Sequence, residues 1–125
     1  SKSALIKLTE NLAAETRSHG VAVFAFDPGI VTTGLTDEAL AMDAAPGSPA
    51  AWVRQQVAEG RAVPPERGAE VVVLLAAGHA DSLSGRYLTV HDDVRELIER
   101  AEEIRRADLY TLRLRQLAGP ASPGR

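Results

Sequence analysis

Apolar positions recur at three- and four-residue intervals over residues 3–18. Leu5, Leu8, Leu12 and Ala13 share one face, while Lys7, Glu10, Glu15 and Arg17 lie mostly elsewhere. This period predicts a helix. His19-Gly20 ends it, because glycine takes the left-handed conformation after a last helical turn without a Cβ clash. The pattern then changes. Val21-Ala22-Val23-Phe24-Ala25-Phe26 is apolar at every position, which predicts a short parallel strand buried on both faces. Asp27-Pro28-Gly29 closes it, since proline cannot donate to a ladder and glycine permits a sharp turn.

Residues 36–42 and 50–59 predict two short helices around the loop Pro46-Gly47-Ser48-Pro49. Pro64-Pro65-Glu66 opens a stronger helix that carries Val71, Val72, Leu74 and Leu75 on to Gly78. Residues 86–90 predict a second short strand. Asp93, with Glu96 three residues later, has the form of a capping box. The helix it starts should bury Leu97, Ile98, Ala101 and Ile104, with Glu96–Arg100 and Glu102–Arg106 supporting its solvent face. Residues 118–125, rich in Pro, Gly and Ser, predict a disordered tail.

Helices alternating with strands define the α/β class. Two such strands joined by a crossover helix should run parallel, with a right-handed connection. Two strands make a poor sheet, however. An all-apolar strand needs neighbours on both edges or it exposes an adhesive one, so the pattern predicts that further strands of the sheet lie outside this chain.

Composition adds mostly exclusions. At 125 residues, 45% hydrophobic and 25% charged, the chain has the make-up of one ordinary globular domain. A net charge of -3 gives no reason to expect a nucleic-acid partner. Arg105, Arg106, Arg113 and Arg115 make the end of the chain basic, but Glu99, Glu102 and Glu103 are interleaved with them, as on a solvated face. The chain has no cysteine, which removes disulfides and thiolate sites and fits a reducing cytoplasm. No apolar stretch approaches the roughly 20 residues of a membrane span. His19, His79 and His91 have no partners at metal-ligand spacing, so no metal is expected and turn or surface roles are. Ser1-Lys2-Ser3-Ala4-Leu5 has neither an initiator Met nor a signal-peptide pattern, so the gene is expected to start further upstream.

Three stretches, in order, resemble the short-chain dehydrogenase/reductase family. Ser1-Lys2-Ser3-Ala4-Leu5 is similar to the end of its Tyr-x-x-Ser-Lys motif and the helix that follows. Asp27-Pro28-Gly29-Ile30-Val31-Thr32-Thr33 resembles its Pro-Gly-x-Val/Ile-x-Thr segment after the sixth strand. Leu83-Ser84-Gly85-Arg86-Tyr87-Leu88-Thr89-Val90 resembles its seventh strand. Two departures stand out: Asp27 where Asn is common, and His91-Asp92-Asp93 where Asp-Gly-Gly is frequent. The resemblance implies the C-terminal portion of a Rossmann-type doubly wound parallel sheet over residues 1–93, a helical extension over residues 94–117 and the tail beyond.

The resemblance also implies chemistry. In the family, a tyrosine four residues before the lysine exchanges a proton with the substrate oxygen. The unperturbed phenol, with a pKa near 10, ionises too reluctantly at neutral pH, and a neighbouring ammonium favours the phenolate. Lys2 would supply that charge and bind the nicotinamide ribose; the matching tyrosine would precede Ser1. Taken alone, Lys2 reads as a solvated residue near a helix start. Pro28 and Gly29 stand where open α/β sheets place ligands. The Val31 backbone and the Thr33 hydroxyl are implied to hold the nicotinamide carboxamide, and Thr33 reads equally as a helix N-cap. Residues 35–61 correspond to the mobile substrate loop, in which Leu35, Met42 and Trp52 are candidate contacts, with plain packing the other reading of Trp52. None of the ten glycines forms a dinucleotide-binding fingerprint. In the family that turn, the catalytic serine and the residues choosing NAD or NADP lie in the first half of the fold.

The expectation is thus part of a cytoplasmic NAD(P)-dependent oxidoreductase interconverting an alcohol and a ketone or aldehyde, inactive as an isolated chain. It should self-associate through the helix over residues 3–18, the family's common dimer contact. A non-catalytic dimerisation module or pseudoenzyme is the alternative, and nucleic-acid binding through the last helix is a third.

Overall fold

The computed structural model describes residues 2–43 and 45–115, with the backbone alone at Leu35 and Ala39. The tail over residues 118–125 lies outside the described residues. The helices are α1 (Lys2–Thr16), α2 (Gly34–Ala41), α3 (Pro49–Ala58), α4 (Pro65–Ala76), α5 (Val94–Glu99) and α6 (Ala101–Arg106). The strands are β1 (Ala25–Asp27), β2 (Ile30–Val31), β3 (Ala62–Val63) and β4 (Tyr87–Thr89). β1 runs parallel to β4, with Ala25, Phe26 and Asp27 opposite Tyr87, Leu88 and Thr89. β2 runs parallel to β3 in a separate two-residue ladder. The α/β class and parallel pairing follow the sequence; the β2–β3 pair was not foreseen.

Burial departs from the sequence pattern in two places. The ladder of the apolar run starts only at Ala25. Before it, the Gly85 N–H donates to the Val23 carbonyl at 2.7 Å and the Val23 N–H donates to Ser84 Oγ at 3.0 Å. Val21 is 51% exposed, and β1 is half-buried throughout. The double-faced burial predicted for this run is not reached, because among the described residues β1 has β4 as its one strand neighbour. On α1, Ala13 is buried while Leu5, Leu8 and Leu12 stay 62%, 58% and 41% exposed. The reason is local. The helix rests on the turn before β4, where a Cβ on Gly85 would lie 3.2 Å from Ala13 Cβ and 3.7 Å from Glu10 Cα. Gly85 also has φ +85°, so it is required both for its conformation and for the close approach of α1.

The core lies between β4, helix α4 before it and the helices that follow. Leu88, at the centre of β4, has no exposure, and Leu83 packs with it. α4 contributes Val71 and Leu75, α5 Val94 and Leu97, and α6 Ile104. The predicted set on α4 splits: Val71 and Leu75 enter the core, whereas Val72 is 50% exposed.

Asp93 caps α5 as predicted, its Oδ1 accepting from the Arg95 and Glu96 N–H groups at 3.1 and 3.2 Å. Glu96 pairs with Arg100 at 3.1 Å, and Glu102 with Arg106 at 3.6 Å. The extension is not one helix, however. It breaks at Arg100 and its second half stops at Arg106, short of residue 117. Left-handed backbone at Asp108 and Tyr110, φ 54° and 57°, turns the chain back onto β4. There the Tyr110 carbonyl accepts from the Tyr87 N–H at 2.9 Å and the Leu109 carbonyl from Arg86 Nη1 at 3.0 Å. The segment after α6 thereby satisfies a donor on the outer edge of β4 that a continued helix would leave open. Among the described residues, no helix is long and apolar enough to cross a membrane.

Candidate active site

The parallel strands β1 and β4 end side by side, and the turns leaving them build the site. Leaving β1, the Asp27 carbonyl accepts from the Val90 N–H at 2.9 Å. Its side chain closes the turn, Oδ1 accepting from the Gly29 N–H at 2.9 Å, while Oδ2 accepts from the Tyr87 hydroxyl at 3.0 Å. Both carboxylate oxygens are therefore engaged. Burial, then the hydrogen bond and charge of Asp27, push the Tyr87 phenol above its ordinary value. Gly29 has φ +70°, and a Cβ there would stand 3.0 Å from Val90 Cγ1. This turn has room for a glycine alone.

Leaving β4, Asp92 folds the chain back. Its Oδ2 accepts from the Thr89 N–H at 2.6 Å and the Thr89 hydroxyl at 2.8 Å. The His91 N–H donates to Thr89 Oγ1 at 3.3 Å. His91 is thereby turned toward Gly29, with Nε2 3.5 Å from where a Cβ on that residue would stand. Asp92, unlike its neighbour Asp93, thus serves the strand and not the helix that follows.

A cleft of about 380 Å³ opens over these turns, lined by Lys2, Asp27, Gly29, Ile30, Trp52, Gln56, Arg61, Thr89 and His91. It brings together three residues singled out from sequence, Lys2, Gly29 and Trp52, from α1, the β1 turn and α3. Trp52 is 56% exposed, so packing in a core does not account for it. Pro28, Val31, Thr33 and Met42 are not among the lining residues. Pro28 faces α4, its Cβ 3.7 Å from where a Cβ on Gly68 would stand. Val31 lies in β2, and its carbonyl accepts from Thr36 Oγ1 at 2.5 Å. Thr33 holds the N-cap position of α2 without a side-chain capping bond. Met42 is 63% exposed. The side chain of Leu35 lies outside the described residues. Arg54 Nη2 donates to the Leu40 carbonyl at 3.0 Å and also to the Met42 carbonyl, tying α3 to the end of α2.

Sequence reasoning passed over Gln56, Arg61 and His91. Gln56 follows Trp52 by four residues on α3, so helical spacing alone puts it on the same face. Arg61 reaches back to it, donating from Nη1 to Gln56 Oε1 at 3.2 Å and pairing with Glu59 at 2.7 Å. His91 had one usable signal, its place immediately past a parallel strand's C-terminal end, where open α/β sheets put ligands. A second cleft of about 370 Å³ borders Val21 and Ala22, where the chain approaches β1, and contains none of the candidate residues.

Residues 1–92 match the family model described as enoyl-(acyl carrier protein) reductase. The chain is 35% identical over 99 residues to a diacetyl reductase [(S)-acetoin forming] of Staphylococcus aureus, covering 75% of this chain and 38% of that protein. It is 33% identical over 113 residues to the short chain dehydrogenase mpl6 of Monascus purpureus, covering 90% of this chain and 34% of the relative, and equally so to citE of Monascus ruber. No solved structure matches. The chain belongs to the short-chain dehydrogenase/reductase family. It spans a little over a third of the length of these curated relatives, 34% to 38%.

The cleft residues offer donors that fit part of a nicotinamide cofactor: Lys2 lines the cleft with an ammonium able to donate to hydroxyl oxygens, and Gly29 adds no side chain there.

Proposed function

We propose that the whole protein containing this chain is an NAD(P)-dependent oxidoreductase that interconverts an alcohol and a ketone or aldehyde. The observation that carries this reading is that Lys2 and Gly29, 27 residues apart (29 − 2), line one cleft at the carboxyl ends of parallel strands. A nicotinamide cofactor, when bound, would supply or accept the hydride. Lys2 would bind the ribose hydroxyls and stabilise the phenolate of a tyrosine four residues upstream. Pro28 and Gly29 would set the turn beneath the ring, and the Val31 backbone with the Thr33 hydroxyl would hold the carboxamide. The Val31 carbonyl keeps a second lone pair beyond the one that Thr36 occupies. Met42 and Trp52, with Leu35, would cover the substrate. In reduction, the carbonyl carbon gains a hydride and its oxygen gains the tyrosine proton, leaving a neutral alcohol. One relative carries a name for reduction of diacetyl, which makes a small dicarbonyl compound a sensible first substrate to try.

The test is stereoselective turnover by the whole protein with NADH or NADPH and a panel of ketones. The isolated chain, without the tyrosine, is expected to be inactive. Turnover by the isolated chain, or none by the whole protein, would count against the proposal.

A second reading, a dimerising module without catalysis, is favoured by the exposure of Leu5, Leu8 and Leu12 on α1. Self-association through this face is expected under both readings. Leu8→Glu should shift the whole protein toward the monomer in light scattering. The readings separate on turnover: an associating protein that binds no nicotinamide cofactor supports the module.

A further inference from the structure

We propose that His91 is a specificity-determining residue, donating a hydrogen bond to a second oxygen of the substrate beside the reacting carbonyl. This rests on the oxidoreductase reading above and extends it to a substrate class: small carbonyl compounds bearing a neighbouring hydroxyl, oxo or carboxylate oxygen.

The hydrogen-bond acceptors of the cleft are largely engaged. Asp27 receives the Gly29 N–H on one oxygen and the Tyr87 hydroxyl on the other. Gln56 Oε1 accepts from Arg61. Thr89 Oγ1 accepts from the His91 N–H and gives its proton to Asp92. The donors are uncommitted. Among the described residues, Lys2 Nζ, Trp52 Nε1, Gln56 Nε2 and the His91 ring have no hydrogen-bond partner, and all four residues line the cleft. A cleft rich in open donors and poor in open acceptors selects a ligand rich in acceptor oxygens, because each donor desolvated without a partner costs free energy. The cofactor ribose answers to Lys2. That leaves Trp52, Gln56 and His91 for the substrate.

Of these three, His91 comes closest to the Gly29 turn. Its backbone is tied through Thr89 to Asp92, and its ring packs beside the Gly29 turn over which the nicotinamide is proposed. Trp52 and Gln56 are carried by α3, in the loop region that covers the site. Imidazole presents an N–H at Nδ1 or Nε2 in every protonation state, so it always has a donor to offer. The carboxylate frequent at this position in the family pattern is an acceptor only. His91 therefore adds a donor to this corner of the site.

The experiment uses the whole protein and paired substrates: ketones of matched size with and without a second oxygen next to the carbonyl. Wild type should prefer the oxygenated member of each pair in kcat/KM. His91→Ala should cut that preference roughly tenfold, the scale of one unmade hydrogen bond, through KM rather than kcat. His91→Gln, which keeps a donor, should restore most of the preference. The His91 side chain is exposed, so these variants do not disturb the core. Wild type that turns over both members without preference overturns the proposal, as does a His91→Ala variant that keeps the wild-type preference. A wild type inactive on every pair and unable to bind NADH or NADPH overturns the oxidoreductase reading itself, a result distinct from either.

Discussion

Arg113 forks onto Glu10, with Nη2 2.6 Å from Oε1 and Nη1 2.8 Å from Oε2, joining positions 103 residues apart. The same guanidinium holds Asp108, which also lies 3.5 Å from Arg86. Beneath this network, the Tyr110 carbonyl takes the Tyr87 N–H at the edge of β4, despite the left-handed backbone at Tyr110. For a residue of this bulk that conformation costs about 1–2 kcal/mol, so it needs holding from both sides. Arg113→Ala should therefore speed hydrogen exchange of the Tyr87 amide by about tenfold or more, while leaving the Leu88 amide at the core little changed. Equal exchange at Tyr87 in variant and wild type would show that the latch holds nothing.

Glu10 gives the latch a pH dependence. The Arg113 hydrogen bonds hold its carboxyl down to about 2 against an ordinary 4.5, with Lys7 adding a smaller pull and partial burial opposing both. A carboxyl depressed in the folded state binds fewer protons there than when unfolded. Its contribution is thus complete above about 4.5 and fades as pH falls toward about 2. Glu10→Gln should lower stability at pH 6, and the gap to wild type should close between pH 4.5 and 2 in acid titrations followed by circular dichroism.

Gly29→Ala tests the turn beneath the cleft. The added methyl meets Val90 Cγ1 at 3.0 Å and the backbone is at φ +70°. The two costs together should destabilise by about 1–3 kcal/mol in urea denaturation. In the whole protein, the methyl should also weaken nicotinamide binding, which titration with NADH or NADPH would measure. Unchanged stability and affinity would mean that the turn relaxes freely.

The cap at α5 gives a local check. Asp93 accepts from two N–H groups in the first turn, so Asp93→Ala should cost about 1 kcal/mol, and Asp93→Asn much less because it keeps the accepting oxygen. A loss of equal size in both variants would point to charge rather than to the cap.

Helix α1, the turn at Gly29, the cap at Asp93 and strand β4 were legible in the sequence because each has a local cause: a 3.6-residue period, a glycine after a strand, a carboxylate ahead of an apolar helix face. What escaped has distant causes. Ile30–Val31 pairs with Ala62–Val63 over two residues, too short for any alternation to register. The break at Arg100 is invisible to i,i+4 charge spacing, since Glu96 and Glu103 flank it with the favourable pairs of an unbroken helix. Leu5, Leu8 and Leu12 were correctly placed on one face, but periodicity does not say what covers that face. Lys2, Gly29 and Trp52, implied by the resemblance, line one cleft. Metal-ligand spacing carries no information on His91, whose place against Gly29 arises only from the pairing of two distant strands.

If Lys2 serves an acid/base site, steady-state kinetics of Lys2→Ala in the whole protein will show it. In Lys2→Ala, kcat for alcohol oxidation should fall by about a hundredfold or more, the scale of a general acid/base contribution. The basic limb needed for activity should also move to higher pH, because the phenolate loses its neighbouring ammonium. A variant with kcat within about twofold of wild type and an unmoved pH profile would contradict it.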